Sequence, residues 1–110
     1  MKLILAIVND DDAAKVMDEL SSKDYRVTRM CSTGGFLRAG NTTLLVGIDE
    51  EYVEDVLAII ENNSKSRKNM ISTSMSGVRG SAVESMSYPI EVTVGGATVF
   101  VVDVEQFIKY

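Results

Sequence analysis

The chain has 110 residues and a formal net charge of −5, with one cysteine and no histidine. This length predicts a single domain over residues 1–110. The acidic balance argues against binding to a nucleic-acid polymer or to an anionic membrane surface. The lack of histidine excludes Ser-His and Cys-His nucleophile pairs and His-ligated metal sites. No spacing of the 16 carboxylates indicates a paired acid and base, so an enzyme is not predicted.

The first strand is predicted over residues 2–9, a continuous apolar run that indicates burial on both faces. The run is too short to span a membrane, and the single lysine before it makes a poor signal peptide. A lone cysteine, Cys31, leaves no internal disulfide, and a cytoplasmic protein is therefore expected.

Two amphipathic helices are predicted, and each begins with acidic residues. One of the aspartates at 10–12 is expected to cap the first helix, rather than bind a metal, which would need more oxygen ligands. Asp49 is expected to cap the second helix. Apolar residues at i, i+3, i+4 and i+7 form one face of each helix: Ala13, Val16, Met17 and Leu20, then Val53, Val56, Leu57 and Ile60.

The stretch from Arg26 to Gly47 is predicted to form a strand, a glycine-rich turn and a return strand. Alternation places Arg26, Thr28 and Met30 on one face of its first strand. The turn combines adjacent glycines, which permit close backbone approach, with arginines suited to phosphate and a phenylalanine suited to a flat ring. These features suggest a small ligand with phosphate and a ring. From the pattern alone, a plain hairpin with solvated arginines is the favoured explanation, since a Gly-Gly turn is an ordinary hairpin signal.

Residues 62–87 are rich in serine and show no period, so they are predicted to be a long loop, either mobile or ordered by a ligand or partner. A strand follows Pro89, and Gly95-Gly96 is predicted to turn it into a second hairpin. Residues 105–110 are predicted to be a short tail.

The predicted order is strand, helix, two strands, helix, long loop and two strands. This order favours an α+β ferredoxin-like sandwich with an extra C-terminal strand, in which two helices cover one face of an antiparallel sheet. The first, second and fifth predicted strands carry apolar residues on both faces. An apolar sheet face of that size is expected to be buried in an oligomer.

Three segments, MKLILAIVNDDD, STGGFLRAGNTTLLVG and YPIEVTVGGATVFVVDVEQF, resemble the PII-like cyclic di-AMP receptor family over essentially the whole chain. The resemblance implies a PII-like homotrimer that binds the second messenger cyclic di-AMP in clefts between subunits. It implies no catalysis and no cofactor beyond that ligand. Signalling to an unidentified downstream protein is expected through rearrangement of the loops at 33–41 and 62–87.

The resemblance also implies a set of ligand-binding positions. Two of them depart from the family pattern, since position 24 is usually asparagine and position 109 is often glutamine. The ionised carboxylate at 24 would repel phosphate, whereas the lysine at 109 could donate to it. The implied residues are Asp24, Arg26, Thr28, Gly35, Phe36, Leu37, Asn41, Gly47, Phe100 and Lys109.

Other functions fit the same fold. The protein could be a PII-like sensor of ATP or ADP, a trimer that has lost its ligand site, or a purely structural trimer. An enzyme is a further alternative, to be tested by recovery of the intact ligand after incubation.

Overall fold

The computed structural model describes residues 1–30, 40–74 and 87–110. Within these ranges the chain forms strands, two α-helices and one short 3-10 helix. In chain order they are β1 (Lys2–Asn9), α1 (Asp10–Ser22), β2 (Thr28–Met30), β3 (Asn41–Ile48), the 3-10 turn (Glu50–Tyr52), α2 (Val53–Ser64), β4 (Arg67–Ser74), β5 (Ser87–Val94) and β6 (Ala97–Asp103).

The main sheet has four antiparallel strands in the order β2-β3-β1-β6, and both helices pack on one of its faces. The first and last of its strands along the chain, β1 and β6, are thus neighbours in the sheet. This arrangement of an antiparallel sheet and two helices is the predicted α+β class and is compatible with a ferredoxin-like sandwich.

The hydrophobic core lies between this sheet and the helices. Alternate residues of β1 and β3 point toward the helices and are fully buried, as the period of two in a strand requires. Each helix packs one apolar stripe against these strands. Within the predicted stripes, Met17 and Leu57 are only partly buried. The largest fully buried apolar side chains are Ile4, Leu20, Leu44, Ile60, Val8, Val16, Val46 and Val56.

The caps of both helices differ from the prediction. Asn9 precedes α1, and its side-chain oxygen accepts a hydrogen bond from the Asp11 N–H at 3.1 Å. The three aspartates therefore form the first turn of the helix, where the helix dipole favours negative charge. Asp49 precedes the 3-10 turn and makes no side-chain capping bond, so α2 itself begins only at Val53.

Part of the predicted loop at 62–87 is regular structure. Helix α2 extends to Ser64, and residues Arg67–Ser74 form β4, which pairs antiparallel with β5 in a separate two-stranded sheet. The serine-rich sequence hides this strand because ladder hydrogen bonds use the backbone and do not require an apolar alternation. Residues 75–86 of the predicted loop lie outside the described part of the chain.

The second predicted hairpin, at Gly95-Gly96, is wrong. Strand β5 pairs with β4, whereas β6 pairs with β1, so the two glycines connect two different sheets. Both have positive φ, +76° at Gly95 and +98° at Gly96, which fits glycine. Strand β1 is a better partner for β6 because the paired residues are apolar over almost their whole length.

The face of the main sheet that is turned away from the helices is called the open face. The registers place Leu3 beside Gly47 and Val102, and Leu5 beside Leu45 and Phe100. Phe100 keeps 50% of its surface exposed. Of the strands predicted to be apolar on both faces, the first and the fifth, here β1 and β6, are so, whereas the second, here β2, is not. The described part of the chain leaves the open face uncovered.

Candidate functional site

A cleft of about 450 Å³ lies at one end of the open face, against the C-terminal residues that follow β6. It is called the tail cleft. Its volume is in the range of pockets that hold drug-sized ligands. Its lining residues come from the start of the chain with β1, from β2 and the segment before it, from β3, and from the C-terminal segment. They are Met1, Leu3, Arg26, Thr28, Leu45, Gly47, Phe107, Ile108 and Lys109.

Strand register explains why polar and apolar groups meet in this cleft. Thr28 lies opposite Leu45 in the β2–β3 pair, and Gly47 lies opposite Leu3 in the β1–β3 pair. Paired residues share a face of a sheet, so all four belong to the open face. Arg26 lies two residues before Thr28 and lines the same cleft. The structure therefore brings together four of the ligand residues predicted from sequence: Arg26, Thr28, Gly47 and Lys109.

The tail cleft is cationic in an acidic protein. Among the described residues, its lining includes Arg26 and Lys109 and contains no carboxylate, although the chain has 16 acidic residues. A low-dielectric wall with charges of one sign attracts an ion of the opposite sign. The space above Gly47 is also open, since a Cβ built there would meet no atom within 4 Å. The cleft thus suits an anion with a flat group that lies against β3.

Asp24 lies beside the tail cleft rather than in it. It lines a neighbouring hollow of about 380 Å³, which shares Met1 and Gly47 with the cleft. It also lines a wider hollow with Arg26 and Thr28. Asp24 therefore lies close to the cationic lining without being part of it.

The backbone of Asp24 ends helix α1. Its φ is +62°, and its N–H donates to the Ser21 carbonyl at 3.0 Å. The next N–H, from Tyr25, donates to the Leu20 carbonyl at 2.9 Å. These two bonds form a Schellman motif, in which the left-handed residue favours glycine or asparagine. Position 24 therefore has a conformational role besides its nearness to the cleft.

Tyr25 anchors the segment that carries Arg26 to helix α2. Its hydroxyl donates to Asp55 Oδ2 at 2.6 Å, and Lys23 Nζ lies 3.3 Å from the other oxygen of that carboxylate. The hydrogen bond to Asp55 raises the pKa of Tyr25 to about 12, with desolvation adding to the shift. The same bond lowers the pKa of Asp55. The link between α1 and β2 is thus held against α2.

Asn41 and Phe100 are not in the tail cleft of the same chain. Asn41 begins β3, six residues from Gly47, which corresponds to roughly 20 Å along a strand. Phe100 lies on β6 opposite Leu5, on the far side of β1 from the cleft residues of β3. Of the other predicted ligand residues, Gly35, Phe36 and Leu37 lie outside the described residues.

Sequence reasoning missed the apolar wall of the cleft. Phe107 and Ile108 belong to the C-terminal segment, which was predicted only as a short tail. Phe107 is 67% exposed and Ile108 58% exposed. Large apolar side chains after the last strand, where no core remains to bury them, were a signal that this segment contributes to a site.

Residues 1–30, 40–74 and 87–110 show two further properties that bear on other functions. No cluster of three or more cysteine or acidic side chains there could hold a metal ion. Neither helix in those ranges is long and apolar enough to cross a membrane.

Comparison with known proteins gives a consistent result. A family model described as cyclic-di-AMP receptor matches residues 1–110. The chain is also similar to a solved structure described as a functionally unknown protein from Pediococcus pentosaceus ATCC 25745. The two are 41% identical with a TM-score of 0.78, and the match covers 99% of this chain and 96% of the other.

Proposed function

This chain belongs to the cyclic-di-AMP receptor family, and we propose that it binds cyclic di-AMP in the tail cleft. The observation that carries the proposal is the convergence of Arg26 and Lys109 on one cleft whose described lining has no carboxylate, in a chain of net charge −5. Cyclic di-AMP has two phosphodiester charges and two adenine rings, so it requires both cations and apolar surface.

Each lining group has a chemical role in this proposal. The Arg26 guanidinium forms a planar fork that matches a phosphate, and the Lys109 ammonium acts as a point charge. The Thr28 hydroxyl can donate and accept, as an adenine edge requires. Gly47 leaves room for a ring against the strand. Lys109, where the family often has glutamine, thus provides a positive charge in place of an amide, and this charge favours a phosphate ligand.

We propose that the protein is a homotrimer and that neighbouring subunits complete the site. The open face exposes Phe100 by 50% and Val102 by 42%, and apolar faces of this kind mark oligomer interfaces. Asn41 and Phe100 are separated from the tail cleft of their own chain. A neighbouring subunit packed on the open face could supply these two residues to the same ligand.

We propose that signalling to a downstream protein uses the segments at 33–41 and 62–87. The first turn of α1 contacts the described ends of both. The Asp10 N–H donates to the Gly40 carbonyl at 2.8 Å, and the Thr42 hydroxyl donates to the Asp10 carboxylate. Two residues later, Asp12 binds Arg67 at the start of β4. A ligand can shift such segments only through contacts that differ between their states.

Calorimetric titration of the purified protein with cyclic di-AMP tests the proposal, with ATP and cyclic di-GMP as comparison ligands. We expect saturable binding of cyclic di-AMP at one site per chain. Preference for ATP would instead indicate a PII-like nucleotide sensor. No detectable binding of any of the three ligands would contradict the proposed function. Recovery of degraded ligand after the titration would indicate an enzyme.

Two variants localise the site. Arg26→Ala should weaken cyclic di-AMP binding roughly tenfold to a hundredfold, because a hydrogen bond to a charged group is lost. Arg29→Ala is the matched control, since Arg29 lies opposite core-facing Leu44, on the other face of β2. Gly47→Val should block binding yet leave the fold intact, because its Cβ meets no neighbour. Equal effects of both arginine variants would contradict this site.

A further inference from the structure

The C-terminal tail, residues 104–110, is tied to the start of the chain. The Val104 N–H donates to the Met1 carbonyl at 3.2 Å. One residue earlier, Asp103 accepts a hydrogen bond from the Lys2 ammonium. These contacts direct the residues that follow β6 to the end of the open face where the tail cleft lies. The cleft wall formed by Phe107 and Ile108 is thus a consequence of how β6 ends beside β1.

Phe107 has the chemistry of a ring-binding surface and lacks the burial of a core residue. Two thirds of its surface is exposed, at 67%, although Phe is a side chain that normally gains stability by burying its ring. It lines the tail cleft together with both cations of that cleft, Arg26 and Lys109. An exposed aromatic face beside phosphate-binding cations is the combination that proteins use to stack nucleic-acid bases.

We propose that Phe107 is a specificity-determining residue of the tail cleft and stacks on an adenine ring of the bound nucleotide. The inference rests on the proposed function and deepens it. The phenyl ring makes no hydrogen bond, so it favours any ligand that has a base over one that has none. The Thr28 hydroxyl can then bind the polar edge of that base. A phosphate compound without a base would gain nothing from Phe107.

The test uses the full chain and a fluorescent reporter. The protein contains no tryptophan, so Phe107→Trp introduces a single indole at the proposed stacking position. Tyr110→Trp is the matched control, since Tyr110 is fully exposed in the same tail and does not line the cleft. Cyclic di-AMP is titrated into both, with inorganic phosphate as the ligand without a base. Phe107→Ala and Phe107→Leu are titrated by calorimetry.

We expect saturable quenching of Phe107→Trp by cyclic di-AMP, none by phosphate, and little change in Tyr110→Trp. Phe107→Ala should lose roughly 5- to 150-fold in affinity, the range measured for one stacked base. Phe107→Leu should lose most of the same affinity, because leucine keeps the apolar volume but has no ring to stack on the base. Trimer mass by light scattering should be unchanged in both.

Several results would overturn the inference. If the wild type binds cyclic di-AMP but Phe107→Ala and Phe107→Leu bind it equally well, the stacking role fails and the proposed function stands. A change of oligomeric mass in Phe107→Ala would make Phe107 an interface residue instead. Equal quenching of both tryptophan variants would indicate tail movement without stacking. If the wild type does not bind cyclic di-AMP, the proposed function and the inference fail together.

Discussion

Asp24 combines two properties that act in opposite directions. Its left-handed backbone ends α1 in a Schellman motif, a conformation that aspartate tolerates and asparagine tolerates better. Its charge lies at the negative end of the helix dipole and beside the cationic cleft, where it disfavours both the helix and an anionic ligand. The backbone at position 24 thus ends the helix, and its charge is expected to lower both the stability and the affinity for an anionic ligand.

Asp24→Asn should raise both quantities. We expect the free energy of unfolding to rise by about 0.3–1 kcal/mol and cyclic di-AMP to bind roughly two- to tenfold more tightly. Urea unfolding and calorimetric titration measure the two changes. Asp18→Asn makes the same charge change on an exposed part of α1 outside its last turn. Affinity gains of equal size in both variants would show that net charge, rather than position 24, is responsible.

Tyr25 provides the clearest pH-dependent contribution to stability. The hydrogen bond to Asp55 holds the tyrosine pKa at about 12 against an ordinary value of 10.0. The Tyr25 contribution is therefore complete below pH 10 and is lost as the pH rises toward 12. The pKa of Asp55 is lowered from 3.8, so the carboxylate contribution is present above that value and is lost as the pH falls below it.

Tyr25→Phe should accordingly lower stability by a constant amount at neutral pH, and the difference from the wild type should shrink in strong acid and above pH 10. Denaturant unfolding across a pH series measures the difference. Tyr52→Phe is the control, because its ring lies 6.1 Å from that of Tyr25 and its hydroxyl is not the one bonded to Asp55. A difference that does not change with pH would contradict the pairing.

At the scale of elements, the two-stranded β4–β5 sheet is joined to helix α1 by an ion pair at the start of β4. Asp12 is buried, with 3% of its side chain exposed, and Arg67 Nη2 donates to it at 2.8 Å. Such a buried carboxylate requires its partner, since an unpaired charge in the core is costly. Gly95 packs against this ion pair so closely that a Cβ would lie 2.5 Å from Arg67 Nη1.

Gly95→Ala should therefore destabilise the protein more than Gly96→Ala. Both substitutions place alanine at positive φ, at a cost of about 1–2 kcal/mol each. A Cβ at position 96 meets only one atom, at 3.9 Å, whereas one at position 95 collides with the ion pair. We expect Gly95→Ala to lose at least about 1 kcal/mol more in urea unfolding. Equal losses of unfolding free energy in the two variants would mean that Arg67 can shift away from the new Cβ without destabilising the protein.

At the scale of the whole molecule, the open face is the apolar surface that the described residues of one chain leave exposed. Leu3, Leu5 and Ile7 of β1 continue into Phe100 and Val102 of β6. A sheet with both faces apolar has to bury both, and the helices cover only one. The same face ends in the tail cleft, so assembly and ligand binding are expected to depend on one another.

Phe100→Asp should convert the proposed trimer to a monomer of 12.0 kDa, because a charge on the open face would have to be buried at the interface. Light scattering coupled to size-exclusion chromatography measures the mass. Ala14→Asp places the same charge on an exposed position of α1 and should leave the mass unchanged. A Phe100→Asp protein with the wild-type mass would place the interface elsewhere.

The sequence by itself determined the elements whose residues repeat with a regular period, and the faces those residues occupy. The continuous apolar run of β1 and the helical spacing in α1 and α2 predicted the α+β class, whereas the register that places Thr28 and Gly47 on one face came only from the structure. Long motif strings predicted the family, which the family model confirms. These inferences succeed because period and face depend on local backbone geometry.

Only the tertiary structure decided which distant segments meet. Strand β4 has no apolar alternation, β6 pairs with β1 instead of β5, and Asp12 finds its partner 55 residues away in Arg67. The tail cleft arises in the same way, from the end of β6 beside β1. Backbone hydrogen bonds can join any two strands, so the choice depends on competition among non-local partners, which no local pattern records.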